Sequence, residues 1–408
     1  MIKKAGIFAL MISLCFVLLS PGLVHAGGGL AIVDSSVVTD FPASLRFNLS
    51  AESDVNITDI RLHYSVSQES FSQVINEVYI DFIPGTNVNV GWTWDMRKTG
   101  GLPTGSIVEY WWTVEDAGGN KAATTPVRVG FNDNRYSWQS LKEGEVTIYW
   151  YEGDKPFAQE LMSAAKQALA RLLADTGSSL KKPVKIYIYA SSQDLQGAMI
   201  FPPEWAGGVT LARYGVIAIG IAPNNLSWGK RAMAHELTHL VIHQMTFNPY
   251  TGLPVWLDEG LAMFTEGILD VGFSTLLDRA IAENSLISVR SLSSPFSAYS
   301  EESILSYAQS YSLVQFLISN YGQEKMLGLL NTLRAGSSYD RALSKVYGFD
   351  MDGLNTLWQG YVTQQYQQAG VKTTVMSPSL TGTLAELANG LIRDLGLVIP
   401  GWVLRWDW

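Results

Sequence analysis

The sequence predicts a multidomain chain: an N-terminal all-β sandwich followed by an α+β domain. Three observations carry this reading. At 408 residues the chain exceeds one ordinary domain. Up to about residue 135, short alternating apolar segments are cut by turn residues, whereas helical periodicity dominates beyond Ser227. With 47% hydrophobic and 16% charged residues, the composition supports large cores and excludes general disorder.

Segment 1–26 reads as a secretory signal peptide. Lys3 and Lys4 precede the apolar run 5–19, and Val24-His25-Ala26 offers small residues for cleavage. Cleavage there would remove Cys15, the single cysteine, so the mature chain would have no thiol. Such a protein depends on packing or on a metal for its stability. The implied location is secreted or cell-envelope. Contact with a membrane is expected only through an uncleaved signal or the C-terminal tail. A net charge of −9 without a basic run excludes nucleic acid as a partner, because phosphate binding needs clustered cations.

Segment 27–136 is the sandwich. Alternating runs at 45–49, 60–66, 78–83, 88–94 and 107–114 are separated by Pro84-Gly85, Gly100-Gly101, Pro103 and Asp116-Ala117-Gly118-Gly119-Asn120. The stretch 110–116 with Gly119-Asn120 resembles the late hairpin of bacterial fibronectin-III or immunoglobulin-like modules. Trp92, Trp94, Trp111 and Trp112 read as core filling, with a platform for a cell-surface polymer or protein as the other possibility. His63 reads as an ordinary strand residue. Asn48, Asn56 and Asn225 open sequons, which matter only in a glycosylating host.

Segment 137–370 is the α+β domain. Strands are expected at 146–151, 184–189 and 215–222. Asp154 and Pro156 start a helix that Gly177 ends. Further helices are expected at 228–245, 254–268, 273–283, 301–321, 323–334 and 350–368. Segment 371–408 is a tail with a Ser/Pro/Thr linker and a short apolar end.

The sharpest signal is His235-Glu236-Leu237-Thr238-His239. Residues four apart on a helix differ by about 40° in azimuth, so both imidazoles point one way. Two neutral histidines at that spacing can hold one Zn²⁺, and Glu236 can take a proton from a water at the open position. A third ligand is available in Trp256-Leu257-Asp258-Glu259-Gly260-Leu261-Ala262. Asp258 is turned about 100° from Glu259 along a helix and reads as a solvated or supporting group. His243 continues the histidine face and reads as a core or pocket residue, with replacement ligand as the lesser role.

These two motifs resemble the gluzincins, zinc peptidases with HExxH and a downstream glutamate ligand, above all the peptidase-MA-like group and its thermolysin-like and aminopeptidase-N-like relatives. The likeness covers about 140–370 and includes Glu266. It implies a zincin-like fold with one Zn²⁺ per chain, held by His235, His239 and Glu259. Glu236 would be the general base, and the substrate a peptide or protein. It places Tyr307 where such enzymes carry an oxyanion-stabilising tyrosine, with Tyr311 as second candidate. An edge strand, expected within 207–211 and 214–222, would receive the substrate. Aminopeptidases of the family anchor the substrate amine with a glutamate there, where this chain has Thr210. Endopeptidase action is therefore expected. The rival reading is an envelope or cell-surface binding protein with an inert peptidase-like domain.

Overall fold

The computed structural model describes residues 29–202, 207–297 and 299–368. The expected signal peptide, the 371–408 tail and Glu204 lie outside them. No described helix is long and apolar enough to cross a membrane.

The first domain comprises β1 (Ala31–Asp40), β2 (Ser44–Val66), β3 (Asn76–Tyr79), β4 (Gly85–Asp95), β5 (Ser106–Asp116), β6 (Lys121–Ala123) and β7 (Val127–Phe131). β2 belongs to two layers. Its first half pairs with β1 and β4, and its second half with β3 and β5, with the register shifting between Glu52 and Ile57. Strict alternation along β5 buries Val108, Tyr110, Trp112 and Val114. Phe47 of the first layer meets Tyr110 of the second edge-on at 4.9 Å. The tryptophans mostly fill space. Trp94 and Trp112 are buried, Trp92 packs on the core, and Trp111 stacks on His63 at 5.1 Å.

Then follow β8 (Gln139–Glu143), β9 (Val146–Trp150), α1 (Lys155–Thr176), β10 (Val184–Tyr189), α2 (Ser192–Gln196), β11 (Gly208–Leu211) and β12 (Val216–Gly220). The chain closes with α3 (Leu226–Thr246), α4 (Val255–Glu266), α5 (Val271–Ala282), α6 (Ser300–Arg334), α7 (Tyr339–Tyr347) and α8 (Met351–Gln368). The sheet order is β11-β12-β10-β9-β8, with both outer strands antiparallel to their neighbours. Along β10, Val184, Ile186 and Ile188 join the core under α1 and α3, while Tyr187 and Tyr189 face the opposite side.

Local chemistry explains the boundaries. The Asp154 carboxylate accepts the Phe157 N–H at 2.9 Å, and Gly177 ends α1 at φ 70°. The two helices expected at 301–321 and 323–334 are the two halves of α6, separated at Gly322, whose φ of 81° and ψ of 171° are not helical. Sequence reasoning passed over β8, α2 and α7. β8 is a largely exposed polar strand, and the two helices are too short for a sustained apolar stripe.

The domains grip one another. The Lys185 ammonium donates to the Gly105 carbonyl at 3.0 Å, and Phe71 stacks on Phe247 at 4.3 Å.

Candidate metal centre

α3 carries His235 and His239 one turn apart, and both side chains are buried. Their Nε2 atoms face each other at 3.1 Å. α4 packs alongside and brings Glu259 Oε2 to 3.6 Å from His235 Nε2 and 3.5 Å from His239 Nε2. Those separations are too long for hydrogen bonds. Indeed Glu259 Oε2 is buried without a hydrogen-bond partner among the described residues. The three atoms form a triangle whose sides approximate the ~3.3 Å edge of a tetrahedron with metal bonds of about 2.0–2.1 Å. An orphaned carboxylate oxygen and two imidazole nitrogens converging in this way fit a zinc ion.

Each imidazole is held through its other nitrogen. His235 Nδ1 lies 2.8 Å from Glu266 Oε1, and His239 Nδ1 lies 2.9 Å from Asp258 Oδ1. A carboxylate behind each ring fixes the Nδ1–H tautomer and leaves Nε2 free as a ligand. Asp258 is therefore not solvated, as one sequence alternative had it. It is buried, and its second oxygen meets His243 Nε2 at 2.7 Å. His243 stands behind the site, hydrogen-bonded away from the metal triangle.

Charge sets the protonation of this cluster. Burial lowers the His235 imidazole, but the adjoining Glu259 and Glu266 carboxylates prevail and push it up to about 9. His239 behaves likewise: burial opposes its proton, and Asp258 and Glu259 raise it well above its ordinary value. For Asp258, burial is outweighed by His243 and His239, which hold it far below the usual carboxylate range.

Glu236 is buried beside β11. The Thr210 hydroxyl lies 2.7 Å from its Oε2 and 2.9 Å from its backbone carbonyl, and its single proton serves one of them at a time. Gly208 leaves room for the carboxylate, since a Cβ there would sit 2.6 Å from Oε1. The edge strand expected at 207–211 is thus present and grips Glu236. Tyr307 of α6 is buried, its ring edge-on to Phe296 at 5.1 Å. Burial, then Glu259, Glu236 and Asp258, raise its hydroxyl well above the ordinary value, so it lies within the electrostatic reach of the site. Tyr311 packs near Phe264 at 5.8 Å and is raised by burial alone.

Two contributors escaped sequence reasoning. One is the grip of Thr210 on Glu236, for which the sequence carries no signal. The other is the close approach of α4 to α6 at Gly260, where a Cβ would stand 2.4 Å from the Ser310 carbonyl oxygen.

Fold and donor set define a class, a zinc metallopeptidase domain. Residues 164–364 match the model of the Peptidase MA superfamily. No curated protein matches the sequence significantly. Among solved structures, the chain is similar to Legionella pneumophila aminopeptidase A in complex with aspartic acid: 11% identity, TM-score 0.36, covering 82% of this chain and 50% of that one. It is also similar to an M1 zinc metallopeptidase from Deinococcus radiodurans, with 13% identity, TM-score 0.32, and coverage of 86% and 96%. OgpA from Akkermansia muciniphila shares 8% identity over 26% of this chain, at TM-score 0.20, and the match spans 28% of its length. Overlaps this loose say nothing about substrate.

Proposed function

We propose that the chain is an exported zinc endopeptidase. The observation that carries the reading is the convergence of His235, His239 and the orphaned Glu259 Oε2 on one point, with Glu236 buried beside them. Zinc held by these three ligands would supply Lewis-acid polarisation of a carbonyl and a more acidic water. Glu236 takes the proton of the attacking water and returns it to the leaving amine. Thr210 holds that carboxylate in place. Tyr307, kept as a neutral phenol by its raised pKa, donates to the oxygen on which negative charge develops.

Internal cleavage follows from what β11 carries. An aminopeptidase needs a carboxylate for the substrate's free amine, and between 197 and 222 the only acid in the sequence is Glu204. At the corresponding place Thr210 turns its hydroxyl to Glu236. β11 pairs only with β12 among the described residues, which leaves its outer edge for an extended chain. Export rests on segment 1–26, and a mature N-terminus at Gly27 would bear it out.

The test is a peptide library in free and N-acetylated forms, with Glu236→Gln as control. Internal cuts in both forms are expected. Stepwise release of N-terminal residues, abolished by acetylation, would overturn the endopeptidase reading. The binding-protein rival gains if the protein cuts nothing while the first domain retains a surface polymer.

A further inference from the structure

The two metal-facing histidines are not supported alike. His235 leans on Glu266, whose side chain is 16% exposed and near solvent. His239 leans on Asp258, and Asp258 in turn is held by a third histidine. Asp258 is buried, one oxygen lies 2.9 Å from His239 Nδ1, and the other lies 2.7 Å from His243 Nε2. Removing His243 would leave a buried carboxylate oxygen short of a donor, and the carboxylate would be free to rotate away from His239.

We infer that His243 is a positioning residue for the metal centre: through Asp258 it fixes the tautomer and the direction of His239. The inference rests on the zinc-metallopeptidase reading but adds a residue outside the ligand set. Geometry separates this role from that of a ligand in a second metal site. His239, Asp258 and His243 are joined in a row by two bonds of hydrogen-bond length, with the carboxylate in the middle, and each nitrogen faces its own oxygen. His243 side-chain exposure of 23% puts the far end of the row near the surface, so replacing it disturbs little packing.

The experiment measures zinc affinity by chelator competition, which needs no substrate. His243→Phe keeps the ring and loses the donor, and should weaken zinc by about tenfold or more. His243→Gln places an amide nitrogen close to the lost Nε2 and should stay close to wild type. Circular dichroism checks that each variant is folded, and the Gln variant keeps the test decisive if Phe is poorly tolerated. Because His243 acts through Asp258, His243→Phe added to Asp258→Asn should cost little beyond Asp258→Asn alone. Three results would overturn the inference. These are wild-type affinity in His243→Phe, fully additive losses in the double variant, or two zinc ions in wild type against one in His243→Phe, which would make His243 a ligand. Failure of the underlying reading looks different: wild-type protein would then bind no zinc at all, and the inference would fall with it.

Discussion

Gly260 lies against the backbone of Ser310 so closely that a Cβ on it would stand 2.4 Å from the Ser310 carbonyl oxygen. Since the obstacle is main chain, no rotamer change can relieve it. This contact joins α4, which carries Glu259, to α6, which carries Tyr307. The spacing of Glu259 and Tyr307 is thus set by a residue whose own side chain is a single hydrogen.

Gly260→Val should therefore force the two helices apart, destabilising the fold by about 1–3 kcal/mol and weakening zinc binding. Urea melts with a zinc titration would measure both. Gly360 of α8, which has open space around its Cβ position, is the contrast. Gly360→Ala should stabilise by about 1 kcal/mol, because only helix propensity changes.

Glu236→Gln preserves shape and ligands but removes the base. Zinc content should be unchanged while hydrolysis falls by about 10²–10⁴-fold. Metal analysis beside a turnover assay decides it, and a parallel loss of zinc would show that Glu236 acts on the ligand set instead.

Thr210→Val deletes the bond to the Glu236 carboxylate. A hydrogen bond to a charged group is worth roughly 1.5–3 kcal/mol, so kcat should fall by about ten- to a hundredfold with KM little changed. Thr210→Ser restores the hydroxyl and should recover most of the rate. A Ser variant as slow as Val would assign the loss to packing.

Zinc and a proton compete for His235 Nε2, and the imidazole is pushed up from 6.5 to about 9. Below about 9 zinc entry must expel a proton from His235, so affinity should climb as pH rises towards that value. The stability of chelator-treated protein runs the other way. A raised folded-state pKa contributes fully below 6.5 and is lost as pH rises through about 9. Melting temperature in chelator should drop across that window, and zinc should remove the drop.

The candidate metal triangle was legible in part because helical spacing alone turns His235 and His239 to one side. Glu259 was legible through the run around it. The sandwich was legible from alternation, as along β5. Relations between segments were not. Thr210 and Glu236 are 26 positions apart, and nothing local says that an edge strand will hand its hydroxyl to that carboxylate. Asp258 read as a solvated or a supporting group, and nothing local chose between the two. Only the approach of α3 to α4 shows that two histidines enclose it.

The seam between the two domains has a calorimetric consequence. Gly105 of the sandwich meets the Tyr187 hydroxyl of the neighbouring sheet, where a Cβ would come within 2.2 Å, and Lys185, Phe71 and Phe247 add contacts across the junction. Each half supplies wall that the other would otherwise expose to water. Heat should therefore find one body to melt rather than two, in a single endotherm. The sandwich, which supplies no residue to the candidate metal triangle, would then share in whatever a filled metal seat adds to the lifetime of the fold.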